Sequence, residues 1–119
     1  MKRNLDLIRE ILIFIEDSNG PVNSSFEIEI PEITYEELCY HLKLMYQADM
    51  ISYQNSTTFD HEQYSLIEMT YNGHEYLDKI RDVAIWSKVK EKLGSFVNSI
   101  GFDVIKSIAV KVAERMIGF

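Results

Sequence analysis

The side chains best suited to metal binding or nucleophilic chemistry are one cysteine and three histidines, spread along the chain. Cys39 and His41 are two residues apart, so one regular helix would point them to different sides. His61 falls in a polar loop and His74 at the start of a later helix. No CxxC, HxxxH or HExxH spacing occurs, and no GxSxG, P-loop or GxGxxG motif is present. We therefore expect no metal site, no cofactor, no catalytic residue and no enzymatic activity.

Charge is distributed unevenly along the 119 residues, whose formal net charge is −7. Residues 1–78 contain four basic and fifteen acidic side chains, whereas residues 79–119 contain eight basic and four acidic ones. Affinity for nucleic acid comes mostly from lysine and arginine at phosphates. The acidic first part of the chain opposes such binding, so nucleic acid is a disfavoured partner.

The expected compartment follows from cysteine usage and hydropathy. The single cysteine, Cys39, excludes an internal disulfide and suits a reducing cytosol. The longest apolar run, residues 11–15, is far shorter than the roughly 20 residues that a membrane span needs. No signal peptide is recognisable, because charged residues interrupt the apolar stretch after Met1. We expect a cytoplasmic protein that does not associate with a membrane.

The predicted elements after residue 34 follow the order helix, strand, loop, strand, helix, as in the second half of a winged helix. Thr34 and Glu37 form a capping box that opens a helix over residues 35–49. Residues 50–54 and 63–69 are rich in β-forming residues and predict an antiparallel hairpin with a long polar loop. The predicted fold class is α+β, a winged-helix-like domain with a small antiparallel β-hairpin or sheet and a C-terminal helical extension.

Two further elements are expected before the capping box. A mostly apolar helix begins after Asn4, which is a suitable N-cap. Strict alternation over residues 26–30 predicts a half-buried strand, which Pro31 ends or marks as an edge strand. This strand is a candidate third member of the sheet.

Helical spacing continues after the hairpin and stops at Gly94, with a bend expected near Asp82. Trp86 shares a face with other apolar residues of this stretch and is expected to be buried. The chain is predicted to form a single domain. Its winged-helix-like part would comprise residues 1–82, and the helical extension residues 83–119.

The helix over residues 35–49 is the element that would contact DNA. If Leu38, Leu42 and Met45 face the core, the outer face carries two glutamates and one lysine. In a helix-turn-helix this face enters the major groove, where lysine and glutamine can contact base edges. The strand predicted at residues 26–30 replaces the helix that should precede a recognition helix. The DNA-facing candidates in this alternative are Tyr40, Lys43, Leu44 and Gln47.

The last predicted helix begins near Gly101 and carries a continuous apolar stripe. Three interpretations are open: the stripe packs on its own domain, joins a second copy or another protein, or lies on a membrane surface. We expect part of it to form an interface, because a domain this small does not cover every face of an added helix. The candidate interface residues are Phe102, Ile105, Ile108, Val112 and Met116.

Five short segments carry a family resemblance: residues 1–9, 40–44, 69–78, 80–82 and 86–90. The most specific part is the string GHEYLD…IRD…W…VK. These segments resemble the small bacterial and prophage proteins of the domain-of-unknown-function family twenty-five thirteen. The resemblance implies a frequent origin in phages or integrated elements. It implies no established activity, so it transfers no functional residue.

The resemblance has one local departure. In that family a glycine usually follows the alanine that ends the middle helix, and Asp49 takes its place here. Aspartate also adopts the left-handed conformation of such a turn. A more distant likeness is to winged-helix repressors, and it concerns the fold alone.

The predicted function is a non-enzymatic regulatory or adaptor module, associated with phages or prophages, that acts through protein–protein contacts. The partner is another protein or a second copy of the chain, bound through the C-terminal helix. The alternative is a winged-helix DNA-binding transcriptional regulator whose basic surface is assembled by folding or dimerisation.

Overall fold

Five helices and one two-stranded antiparallel sheet make up residues 1–118, the part of the chain that the computed structural model describes. A short 3-10 turn connects the last two helices. The elements are α1 (Leu5–Asp17), α2 (Tyr35–Gln47), β1 (Ile51–Asn55), β2 (Tyr64–Met69), α3 (Tyr71–Ile80), α4 (Val83–Leu93) and α5 (Phe102–Met116). The predicted α+β class is confirmed, and the order of elements is consistent with a winged-helix-like fold.

Side chains at the helix starts satisfy backbone N–H groups that have no partner within the helix. Thr34 and Glu37 form the predicted capping box at α2. Thr70 accepts the N–H of Gly73 at the start of α3. The helix expected to begin after Asn4 is α1, and the Asn4 side chain accepts a backbone N–H there.

The predicted hairpin is confirmed. β1 and β2 pair antiparallel, with Ile51 opposite Met69 and Asn55 opposite Tyr64. The register is irregular between Ser52 and Gln54, which bends the ribbon. The helix before it ends as expected, because Asp49 adopts a left-handed conformation with φ of 59°.

The prediction of a strand at residues 26–30 is wrong. The third contribution to the sheet is an isolated bridge between Val22 and Ile67. The chain then turns away from the sheet, and Phe26 adopts a left-handed conformation with φ of 68°. Ile28 is nevertheless buried. The alternation therefore identified a residue that faces the core. The segment forms no strand because Val22 already occupies the available edge of β2.

The bend expected near Asp82 is a complete break between α3 and α4, and Asp82 caps α4. The buried Arg9 of α1 holds this break, because its guanidinium donates to the carbonyl oxygens of Ile80 and Arg81 at 3.1 and 2.5 Å. These carbonyls lie at the end of α3, where no intrahelical donor is available. The first helix thus holds the junction at which α3 ends and α4 begins.

The last two helices belong to the same hydrophobic core as the rest of the chain. Trp86 on α4 is 4% exposed, which confirms the expectation that it is buried. The helix predicted to begin near Gly101 is α5, which contacts α3 and α4. Phe102 of α5 meets the buried ring of Tyr76 edge-on, at 5.1 Å between ring centroids.

Candidate functional site

The outer face of α2 carries a neutralised lysine. The ammonium of Lys43 lies 3.2 Å from a carboxylate oxygen of Glu62, which belongs to the loop between the two strands. The hydroxyl of Tyr64 donates to the same carboxylate at 2.5 Å. This hydrogen bond, together with Lys43 and against the opposing effect of burial, holds the pKa of Glu62 below its usual range. The only basic residue of α2 is therefore paired within the chain.

The other DNA-facing candidates lie on α2 but present little that could bind phosphate. Tyr40 is half-buried, with its ring edge-on to His41 at 5.3 Å. Leu44 is partly buried, and Gln47 is exposed. These three residues therefore contribute no positive charge, and Lys43, the one cation of the predicted set, is already paired with Glu62.

The histidines and the cysteine take different positions. His41 is buried, accepts the backbone N–H of Asn4 at Nε2 and donates from Nδ1 to the carbonyl of Glu37. Cys39 is buried, and burial raises the pKa of its thiol. His74 is exposed on α3. Within residues 1–118, no three His, Cys, Asp or Glu side chains are grouped so that they could hold a metal ion.

Two loops are joined by a cluster around Tyr35. Its hydroxyl donates to the carbonyl of Glu62 at 2.6 Å and lies 2.9 Å from the hydroxyl of Ser24. The ring of His61 stacks on the Tyr35 ring at 5.4 Å, and Ser25 hydrogen-bonds its Nε2 at 2.8 Å. The loop before α2 and the loop of the hairpin are thus held against each other.

Two phenylalanines project from these joined loops. Phe26 is 97% exposed and Phe59 is fully exposed. Each lies within two residues of the hydrogen bond between Ser25 and His61, so both phenylalanines belong to the segments that this contact joins. The loops hold the aromatic side chains in solvent, where they gain no packing energy within the chain.

The two segments that carry the phenylalanines are rich in acidic side chains. Residues 23–37 and 56–63 contain seven carboxylate side chains and no lysine or arginine. A recess of about 430 Å³ opens in this surface between residues 28–33 and the start of α2, and isoleucines and Leu38 make up much of its lining. We call residues 23–37 and 56–63, with the two phenylalanines and this recess, the acidic face.

The predicted interface on α5 divides into core and surface. Ile105 and Val112 are buried within the single chain, where they pack in its own core. The physical reason is that α3 and α4 already cover this side of α5. Phe102 and Ile108 are partly buried against the same core, and Met116 is 51% exposed.

A second recess lies where the end of α5 meets α4. It has a volume of about 260 Å³ and an apolar floor of Val112 and Met116. Lys88 and Lys92 of α4 and Arg115 of α5 surround the floor. We call these five residues the basic groove. Of the predicted interface residues, Met116 is the one that combines exposure with a place in a recess.

Sequence reasoning missed Phe26 and Phe59. Phe59 carried a usable signal, because it is an isolated aromatic residue within the polar stretch NSTTFDHEQ. Phe26 was hidden by the alternating pattern that assigned it to a strand. The pairing of Lys43 with Glu62 was also missed, since it depends on how the hairpin loop folds back over α2.

Comparison with known proteins places the chain in a family. The model of the family described as Hypothetical protein (DUF2513) matches residues 2–98. The chain belongs to this family. A relative from Haemophilus influenzae, described as an uncharacterized protein, is 31% identical over 117 residues, which are 98% of this chain and 99% of the relative. No solved structure matches.

The family membership confirms the resemblance that the sequence segments carried. The alignment with the Haemophilus relative spans almost the whole chain and so extends well beyond the family match, which ends at residue 98 in the connection before α5. Among residues 1–118, no helix has both the length and the apolar character required to cross a membrane.

Proposed function

We propose that this chain is a non-enzymatic adaptor or regulatory module that binds a protein partner through the acidic face. The observation that carries the proposal is the pair of exposed phenylalanines, Phe26 and Phe59, on two loops that hydrogen bonds and stacking hold together. Aromatic side chains bury about 150–250 Å² each and are frequent among the residues that dominate binding energy. Ordered loops also reduce the entropy lost when the partner binds.

The chemistry of the acidic face defines the partner. The two segments that carry the phenylalanines contain seven carboxylates, of which Glu62 is paired with Lys43, so a complementary surface is basic at its rim and apolar where the rings insert. The recess beside residues 28–33 accepts an apolar side chain in return. The setting we propose is the host cytoplasm, in a phage or prophage context, because Cys39 is an unpaired buried thiol and the family resemblance is to mobile elements.

Site-specific photo-crosslinking tests the proposal. Replacing Phe26 by p-benzoylphenylalanine is expected to give a light-dependent adduct with a second polypeptide, because this exposed side chain would be covered in the complex. Tyr71 is also strongly exposed but lies at the start of α3, outside the acidic face, and the same replacement there is the matched control.

The specificity of the adduct decides the result. We expect it to weaken in high salt, which screens the carboxylates, and to be lost when Phe59→Ser is added. Equal adducts from positions 26 and 71, or adducts that persist without Phe59, would contradict the proposal.

Duplex DNA is expected to bind weakly or not at all at physiological salt. Lys43 is paired with Glu62, and the face formed by α2 and the hairpin loop is rich in carboxylates, so few cations on this face are available to replace phosphate counterions. An electrophoretic mobility shift titration over random and promoter fragments is the measurement. Sub-micromolar, sequence-dependent binding that weakens steeply with salt would restore the DNA-binding alternative.

A further inference from the structure

The basic groove is a second surface whose chemistry is the opposite of the acidic face. Lys88 and Lys92 are one helical turn apart on α4, and Arg115 and Met116 end α5 beside them. Lys88 has one exposed ion pair, with Glu91 at 3.7 Å. Within residues 1–118, Lys92 and Arg115 have no carboxylate oxygen within 4.0 Å. The rim therefore carries positive charge that the described part of the chain does not neutralise.

We propose that the basic groove binds the acidic face of a second copy of this chain, so that copies associate head to tail. The inference rests on the proposed function, in which the acidic face is the binding surface, and it names a partner for that surface. An exposed phenylalanine would enter the apolar floor formed by Val112 and Met116. The surrounding carboxylates would then meet the two lysines and the arginine.

Charge complementarity selects a second copy as the occupant. Residues 1–78 have eleven more acidic than basic side chains, and residues 79–119 have four more basic than acidic ones. Two copies placed face to face would bring like charges together. A face-to-groove contact instead pairs opposite charges and covers both the exposed rings and the exposed Met116. The contact uses different surfaces on the two copies, so it is heterologous.

Paired variants test this arrangement by sedimentation velocity. The face variant carries Phe26→Ser and Phe59→Ser, and the groove variant carries Lys88→Glu and Arg115→Glu. All four positions are exposed, so both variants are expected to fold. Wild type is expected to associate as concentration rises, and less so at about 1 M salt, where the Debye length is about 3 Å. Each variant alone is expected to associate at least about tenfold more weakly.

Mixing the two variants gives the decisive measurement. The face variant retains an intact groove, and the groove variant retains an intact face, so one productive contact remains between them. We expect an equimolar mixture to form a one-to-one complex that neither variant forms alone. A control with Lys2→Glu and Lys111→Glu changes the net charge equally at exposed positions outside the groove and is expected to associate like wild type.

Several outcomes would overturn the inference. One is a wild type that stays monomeric at all concentrations in low salt. Others are a dimer that both variants leave intact, or a mixture that gives no complex although wild type associates. A crosslink from position 26 to a different protein, with monomeric wild type, would reject self-association and leave the proposed function standing. If position 26 gives no crosslink and wild type does not self-associate, the proposed function and the head-to-tail association are both rejected.

Discussion

Replacing Gly73 by alanine is expected to destabilise the fold by about 3 kcal/mol or more, the upper range for overpacking a closed site. Gly73 lies in the first turn of α3, where the helix meets the end of the hairpin. A Cβ at this position would lie 2.1 Å from the carbonyl oxygen of Met50 and 2.6 Å from Cγ of Met69. That carbonyl accepts the N–H of Thr70, so it cannot move without breaking the junction. Urea denaturation measures the loss.

The expected sign is opposite to intrinsic helix propensity. Alanine normally stabilises a helix by about 0.8–1.0 kcal/mol relative to glycine. Gly20 is the matched control, because nothing lies within 4 Å of a Cβ built there. We expect Gly20→Ala to change the free energy of unfolding by no more than about 0.5 kcal/mol. A Gly73→Ala protein as stable as wild type would mean that α3 and the hairpin are not packed this closely.

Elements with local signals were predicted correctly. The capping box of Thr34 and Glu37 places the start of α2. Asp49 adopts the left-handed turn that follows α2, as expected for aspartate at this position. Each signal works because the hydrogen bond or dihedral angle that it requires involves residues only a few positions apart.

The prediction at residues 26–30 was wrong because strand pairing is not local. Alternation reports which side chains face the core, and Ile28 does so. A strand also needs an unoccupied edge, and the bridge between Val22 and Ile67 takes the edge of β2. The hydroxyl of Ser24 accepts the N–H of Tyr64, and the chain then leaves the sheet. The sequence pattern of this segment contains no information about that competition.

The candidate sites show the same limit. A helical apolar stripe predicts a buried face but does not distinguish the chain's own core from a partner, and Ile105 and Val112 belong to the core. The exposure of Lys43 followed from helical spacing. Its pairing with Glu62 could not be predicted, because nineteen positions and a folded loop separate the two residues. The side chains that remain available at the surface therefore depend on how the loops fold, and sequence patterns are weakest in loops.

Truncating Trp86 to alanine is expected to cost about 3–5 kcal/mol, as for other large aromatic residues of a core. The side chain is 4% exposed, and its indole Nε1 donates to a carboxylate oxygen of Asp6 on α1 at 2.8 Å. The change therefore removes both the apolar contacts of the indole with the core and the hydrogen bond that joins α4 to α1. Denaturant unfolding measures the loss, and Trp86→Phe separates the two contributions by keeping most of the apolar ring. A native tryptophan fluorescence spectrum typical of full solvent exposure would contradict the burial of Trp86.

The hydrogen bond to Asp6 also predicts a pH dependence. Burial raises the pKa of Asp6, but the hydrogen bonds from Trp86 and Lys90 outweigh it and hold the pKa below the ordinary value of 3.8. Because the pKa of Asp6 is lower in the folded state than in the unfolded state, these hydrogen bonds stabilise the fold above about pH 3.8. This contribution is lost as the pH falls through the lowered pKa of the folded state. Trp86→Phe removes one of the donors to Asp6, so the pKa of Asp6 is lowered less in the variant. The stability of the variant therefore falls less in acid than that of wild type. The destabilisation of Trp86→Phe relative to wild type should therefore be larger at neutral pH than below the lowered pKa. A difference that does not change with pH would show that the indole–carboxylate bond contributes nothing to the joining of α4 to α1.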